Sequence, residues 1–394
     1  MPGPQAAQIK EYVGKQREPL IDVLRRMVES ESPSSNPDSH RQIFSVIAGE
    51  LQALDFDVTA VGSDAAGRHI YARPRTRKKG APRQLLVGHY DTVWPLGTVN
   101  TRPFTVDGNI ARGPGVFDMK GGLAQMLIAL RCLRELRLQP TLLPLILINS
   151  DEEIGSRDST RYIRSLARIS DRAFVLEPAM DEEGIIKTER KGVGRFTVTA
   201  FGKAAHAGLE PGAGASAILE LSHVIQSLFA LNDEDRGVTV NVGTVDGGLH
   251  PNVIAPHSRA VIDVRVPTVD DGKRLEKAIH SITPVTPGVR LQIEGAIGRP
   301  SMEQTPRNRA LWQQALALGA TLGIDLKQGR AGGASDGNTT SQYTATLDGL
   351  GPVGHGAHAE REFLYLDRTL ERAALLALLL MSPRIEADAR QETS

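Results

Sequence analysis

The chain has 394 residues, 40% hydrophobic and 23% charged, a globular composition long enough for two or three domains. Forty-six basic residues balance forty-six acidic ones, so net charge offers no general attraction to nucleic acid or to an anionic membrane. A single cysteine, Cys132, excludes an intrachain disulfide, and no apolar run reaches the roughly 20 residues that a membrane helix needs.

Residues 1–5 carry none of the marks of a secretory signal, so a cytoplasmic protein is the simplest expectation. Residues 5–29 are expected to form one amphipathic helix, with Ile9, Val13, Leu20, Val23, Leu24 and Met27 near helical spacing. A Ser/Pro/Asn-rich break at 30–39 precedes a second helix over 41–54. Strand-like runs follow at 57–61 and 69–72. The basic run 75–79 reads as a solvated turn, because no aromatic residues interleave it. Next come a strand at 84–88, a helix over 122–138 with Cys132 as a buried, inert thiol, a strand at 142–148, a helix at 159–166 and a strand at 173–176. Continuous apolar strands alternating with helices predict a largely parallel sheet covered on both faces. Ligands of such sheets bind beyond the carboxyl ends of the strands.

The pattern changes near Arg190. A strand at 195–201, a helix at 213–231, strands at 238–245 and 258–266, a helix at 271–282 and a strand at 289–295 give β-α-β-β-α-β, the ferredoxin-like order. A helix at 307–322, a Gly-rich loop and a helix at 368–381 then return to the first pattern. The expected architecture is an α/β domain built from 1–189 and 299–394, with a ferredoxin-like α+β domain inserted at 190–298. The tail, 385–394, is polar and expected to fray.

Residue types that bind metal recur at the ends of apolar runs and in Gly-rich loops: Gly88-His89-Tyr90-Asp91, Gly113-Pro114-Gly115-Val116-Phe117-Asp118, Asp151-Glu152-Glu153, Leu176-Glu177-Pro178 and His355-Gly356-Ala357-His358. Imidazoles and carboxylates in this number suit two neighbouring Zn²⁺ ions and metal-assisted hydrolysis. His89 and Asp91 share one face of an extended segment, so Asp91 can accept the second imidazole N–H and orient the ring. Asp118 has two oxygens and can bridge two cations. Glu152 and Glu153 are adjacent and should diverge, one ligating metal and the other moving protons. A carboxylate at the end of an apolar strand, Glu177, is most easily explained by a cationic partner. Spacing does not choose between His355 and His358.

Together these motifs resemble the di-zinc peptidase and aminoacylase family, which includes glutamate carboxypeptidases of the carboxypeptidase G type, acetylornithine deacetylase and succinyl-diaminopimelate desuccinylase. The resemblance rests on GHYDTVWP, GPGVFDMKGG, SDEEIGS, LEP and HAERE and covers nearly the whole chain. It implies that Asp118 bridges two zinc ions (Co²⁺ or Mn²⁺ accept the same ligands), with His89 and Glu177 completing one site and Glu153 and His358 the other. The family's late histidine stands four residues before a glutamate; His358 and Glu362 fit, which favours His358. The resemblance further implies that Glu152 is the general base and acid and that a cis peptide follows Asp118. His206 would reach the partner subunit's site in a homodimer made by the inserted domain, while Asn252 and Arg265 would bind substrate, the arginine through its carboxylate. The loop Gly332-Gly333-Ala334-Ser335-Asp336 would lie near the site. The implied activity is cleavage of an amide bond beside a free carboxylate, releasing a C-terminal amino acid from an N-acyl or peptidyl substrate. N-acyl-amino-acid deacylation or dipeptide hydrolysis is the alternative, and a silent amino-acid- or metal-binding protein is the alternative of another class.

Overall fold

In the computed structural model, which describes residues 3–385, the strand Arg83–His89 runs through a six-stranded sheet. The strand order is Phe56–Val61, His69–Pro74, Leu143–Asn149, Arg83–His89, Arg172–Val175 and Ala345–Leu347. Alternate residues divide the sheet between two cores. Leu86, Ile146, Ile148 and Phe174 face helices Gly3–Gly14, Arg17–Glu29, Arg41–Ala53, Gly121–Glu135, Pro306–Leu322 and Leu366–Met381. Leu85, Val87, Leu145, Leu147 and Val175 face Ile163 and Ala167 of helix Thr160–Arg168. Burial on both faces is why these strands read as unbroken apolar runs.

The sheet is mixed rather than largely parallel. Arg83–His89 pairs in parallel with Leu143–Asn149 and Arg172–Val175, as does Ala345–Leu347 with Arg172–Val175. The first two strands of the order form an antiparallel pair, and His69–Pro74 is also antiparallel to Leu143–Asn149. Only residues 62–68 join the first two, too short a link for the crossover that a parallel pair requires. The expected single N-terminal helix is two, Gly3–Gly14 and Arg17–Glu29. Pro19 has no N–H to offer the Lys15 carbonyl, so a continuous helix would lose a bond there. Residues 386–394, the polar tail, lie outside the described residues.

The chain divides into two compact units. One comprises the chain through Glu189, Gln304–Ala331 and the chain from Ser335; the other comprises Arg190–Glu303 and Gly332–Ala334. In the second unit the strand order is Thr239–Gly247, His257–Val266, Gly192–Phe201 and Arg290–Arg299, with every neighbour antiparallel. This is the ferredoxin-like order. Helices Ala217–Phe229 and Val269–His280 supply Leu221, Val224, Leu228, Leu275 and Ile279 to its core, against Phe196, Val198, Ile262 and Val264. Thr268 caps the second helix by accepting from Asp271 N.

In the first unit, register brings several chain segments to one sheet edge. His89 lies opposite Asn149, and Val87 lies opposite both Leu147 and Val175. The segments leading to Glu152 and Glu177 therefore emerge beside His89. Close packing holds one of them. A Cβ on Gly122 would overlap the Leu176 carbonyl oxygen, and one on Gly351 would overlap the same oxygen and approach that of Glu177 at 2.7 Å. The backbone at Leu176–Glu177 lies between two glycines.

Gly122→Ala should therefore lower stability by about 1–3 kcal/mol through overpacking. Gly49→Ala, on an exposed helical position with nothing within 4 Å of the added carbon, should raise it by about 0.5–1 kcal/mol. Denaturant unfolding of both variants checks this. Equal effects would mean that the Leu176 contact is not tight.

Candidate metal centre

His89 ends its strand buried, its main-chain N–H donating to Met119 Sδ at 3.1 Å. Its Nδ1 lies 3.0 Å from the Asp91 carbonyl oxygen and 3.4 Å from Asp91 Oδ1. The nearer acceptor is thus the main chain of Asp91 rather than its carboxylate. That carboxylate is fully buried and accepts from Ser34 Oγ at 2.7 Å and from the N–H groups of Glu152 and Glu153, each at 3.2 Å. Asp91 thereby fixes both the histidine and the turn that carries the paired glutamates.

Asp118 lies between the two imidazoles. Its Oδ1 is 3.2 Å from His89 Nε2, and its Oδ2 is 3.5 Å from His358 Nε2. His89 Nε2 also lies 3.4 Å from Glu177 Oε1, while His358 Nε2 lies 3.0 Å from Glu153 Oε2. Two His–carboxylate clusters thus share Asp118, one oxygen for each. Glu152 and Glu153 diverge as their adjacency requires: Glu152 groups with His89 and Glu177, and Glu153 with His89 and Asp118, ligand atoms in each group lying within 4.8 Å of one another. His358 rather than His355 enters these contacts. His355 sits in the strand Gly354–His355, opposite Phe363. The Asp118–Met119 peptide is cis.

The electrostatics are those of crowded carboxylates held by imidazoles. Desolvation opposes ionisation of the half-buried Asp118, yet His358 and His89 hold its carboxyl well below the usual range. Its partners move the other way. His358 is pushed up to about 10 by Asp118 and Glu153. His89 is raised well above its ordinary value, its buried position outweighed by Asp118, Asp91 and Glu177. Burial pushes Glu153 upward, with Asp118 adding to the effect and His358 opposing it.

The donor set fits cations. His89 Nε2 and Asp118 Oδ1 are buried, adjacent and without a hydrogen-bond partner, as two ligands aimed at one ion would be. A family model of a peptidase dimerisation domain matches residues 188–284. That domain is the dimerisation domain of M20 peptidases, and most of the chain is similar to carboxypeptidases and related hydrolases. The chain is 27% identical over 376 residues to carboxypeptidase G2 of Pseudomonas sp. (strain RS-16), covering 92% of this chain and 88% of that one. It is 26% identical over 348 residues to succinyl-diaminopimelate desuccinylase of Delftia acidovorans, covering 83% and 88%. Its fold matches the YXEP protein of Bacillus subtilis, described as a dinuclear metal binding peptidase of the M20 family, with a TM-score of 0.66 at 15% identity over 93% of this chain and 98% of that one. These likenesses identify the chain as a metal-dependent peptidase or amidohydrolase.

His206, Asn252 and Arg265 belong to the second unit. His206 is exposed, and its Nδ1 accepts from the N–H groups of Gly208 and Leu209, each at 3.1 Å. A bridge between His206 and Val253 and a 3.0 Å bond from Ala207 N to the Asn252 carbonyl bring His206 and Asn252 together. Arg265 is half-buried and already engaged. Its Nε and Nη2 donate to the two oxygens of Asp263 at 2.8 and 3.0 Å. In the Gly332–Asp336 loop, Asp336 is buried and accepts from Asn149 Nδ2 at 2.7 Å and Ser156 Oγ at 2.6 Å. It braces the turn bearing Glu152 and Glu153. Cys132 is buried, and burial pushes its thiol up to about 12, leaving it inert.

Ser34 and Met119 escaped sequence reasoning because each acts through a long-range hydrogen bond that no local pattern announces. Glu362 was visible only as a spacing from His358.

His358 gives the cation-free protein a pH signature. Its folded pKa is raised from 6.5 to about 10, so its ion-pair stabilisation is complete below pH 6.5 and lost as pH rises through about 10. In chelator-treated protein, the thermal-stability advantage of wild type over His358→Gln should shrink across that interval. An advantage independent of pH would show that the imidazole is not the proton holder.

Proposed function

We propose that this chain is an M20 peptidase, a di-zinc hydrolase cleaving an amide bond beside a free carboxylate, releasing a C-terminal amino acid from an N-acyl or peptidyl substrate. The observation that carries this reading is Asp118, with one oxygen toward His89 and the other toward His358. In the reading, Asp118 would hold both ions, with His89 and Glu177 completing one site and Glu153 and His358 the other. Zinc suits this imidazole and carboxylate set, and Co²⁺ or Mn²⁺ would accept it. A metal pair in such a cradle lowers the pKa of water and polarises a carbonyl.

The chain's own groups do the rest. Glu152, held at the His89–Glu177 side of the cluster, accepts a proton from the attacking water and returns it to the leaving nitrogen. Asp91 holds His89 in orientation and fixes the main chain of Glu152. His206 donates to the developing oxyanion from the partner subunit, and Asn252 lies beside it to bind substrate. Arg265 grips the substrate carboxylate with its planar fork, exchanging Asp263 for that ligand. The likeness to succinyl-diaminopimelate desuccinylase supports N-acyl-amino-acid deacylation as the second reading, and the two differ in which product is the larger.

We assign the domains as a catalytic α/β part, 1–189 and 299–394, with an inserted ferredoxin-like part at 190–298 that makes a homodimer. Ile218, Leu219 and Phe229 are exposed on one helix, and Val245 is exposed on the edge strand Thr239–Gly247, which supports a pairing surface there. Among the described residues no helix is long and apolar enough to cross a membrane, and a cytoplasmic location accords with that.

Glu152→Gln should keep both metal ions and lose at least about 10²-fold in turnover, the usual contribution of a general base. Metal analysis and hydrolysis of N-acyl-glutamates on one preparation read both quantities, and near-normal turnover would remove the assignment. Arg265→Ala should raise KM for substrates with a free α-carboxylate at least tenfold more than for the matching neutral amides. Equal loss on both series would leave Arg265 as the partner of Asp263 alone.

A further inference from the structure

Glu362 is buried, and its carboxylate accepts four hydrogen bonds. Oε2 accepts from the Trp94 indole Nε1 at 2.8 Å and from Gly115 N at 2.9 Å. Oε1 accepts from Phe117 N at 2.9 Å and from Asp118 N at 3.0 Å. The last donor is the main chain of the residue placed between the two imidazoles.

Glu362 also begins where the His358 loop ends. Its own N–H donates to the Ala359 carbonyl at 3.0 Å, and Ala359 N donates to Gly356 at 2.9 Å. The strand Phe363–Tyr365 then pairs with Ile110–Arg112, the strand that leads into the Gly113–Asp118 loop. One carboxylate thus ties together the loop bearing His358, the loop bearing Asp118 and the segment after Asp91 that carries Trp94. His358 has a φ of +60°, a left-handed conformation that a non-glycine residue adopts only when its surroundings hold it there.

We infer that Glu362 is a positioning residue for the metal centre: it sets the main chain of Asp118 against His358, so that both ions are held at full affinity. The inference rests on the di-metal reading above. It requires a carboxylate, since four N–H donors face four acceptor positions. A glutamine would turn an N–H₂ group toward at least one pair of those donors.

The test is zinc affinity, measured by chelator competition on wild type, Glu362→Gln, Trp94→Phe and the double variant, below the unfolding temperature of each. Wild type should bind two zinc ions. Glu362→Gln should bind zinc about 10- to 100-fold more weakly, the usual effect of removing a group that orients metal ligands. Excess zinc should recover part of its kcat, which a purely structural role would not predict. Trp94→Phe removes one donor and should weaken binding less; in the glutamine background it should cost less again, because it removes a donor facing the new amide. Should Glu362→Gln fail to fold, Trp94→Phe carries the test alone through its own affinity loss. Two zinc ions on wild type with unchanged affinity in the folded variants would overturn the role of Glu362 and leave the metal centre intact. No zinc on wild type would overturn both.

Discussion

Four carboxylates converge at one end of the main sheet: Asp118, Glu152, Glu153 and Glu177. Their mutual repulsion in a buried place is the constraint on which the rest of the structure depends. Positive charge must enter, either as protons on His89 and His358 or as cations in their place. The raised pKa values of both histidines, beside the lowered one of Asp118, are the protonic form of that requirement. A metal would take the place of those protons, so metal binding and proton release would be coupled at this centre.

Much of this is legible in the order of residues along the chain. Unbroken apolar runs ending in His89, in Asn149 before the acidic triplet and in Leu176 before Glu177 point to neighbouring buried strands, and register brings them to one edge. The β-α-β-β-α-β order after Arg190 is likewise periodicity made visible. The motifs also led to the cis peptide after Asp118, which geometry alone would not suggest. Other features have no local signal. The break between Gly14 and Arg17 depends on one proline, the third residue of the second helix, within what reads as a continuous amphipathic pattern. Short strands such as Ile110–Arg112 and Phe363–Tyr365 are specified by their partners rather than by composition. The Arg265–Asp263 fork is a contact between residues on one face of a strand, so the spacing allowed it but did not require it.

The carboxylates at the centre cannot hold one another, so each segment that carries one is anchored by something else. Asp91 accepts from the main chain of Glu152 and Glu153, and Asp336 braces the same turn from behind. Glu362 accepts from the main chain around Asp118. Gly122 and Gly351 fix Leu176 and Glu177 by close approach alone. Holding the backbone separately from the side chains that meet the ion is how a site keeps its geometry without depending on its occupant.

This arrangement adds negative charge to a place that already has too much, because Asp91 and Glu362 are themselves buried acids. Lys120 answers that. Its ammonium is buried, donates to the Ser30 carbonyl at 3.2 Å and feels the attraction of Glu362, Glu31 and Asp91. Burial still pulls it down to about 8, so it remains mostly charged at neutral pH. Asp91 and Glu362 thus share one buried cation of the protein's own. The two histidines remain available to the acids that face the centre.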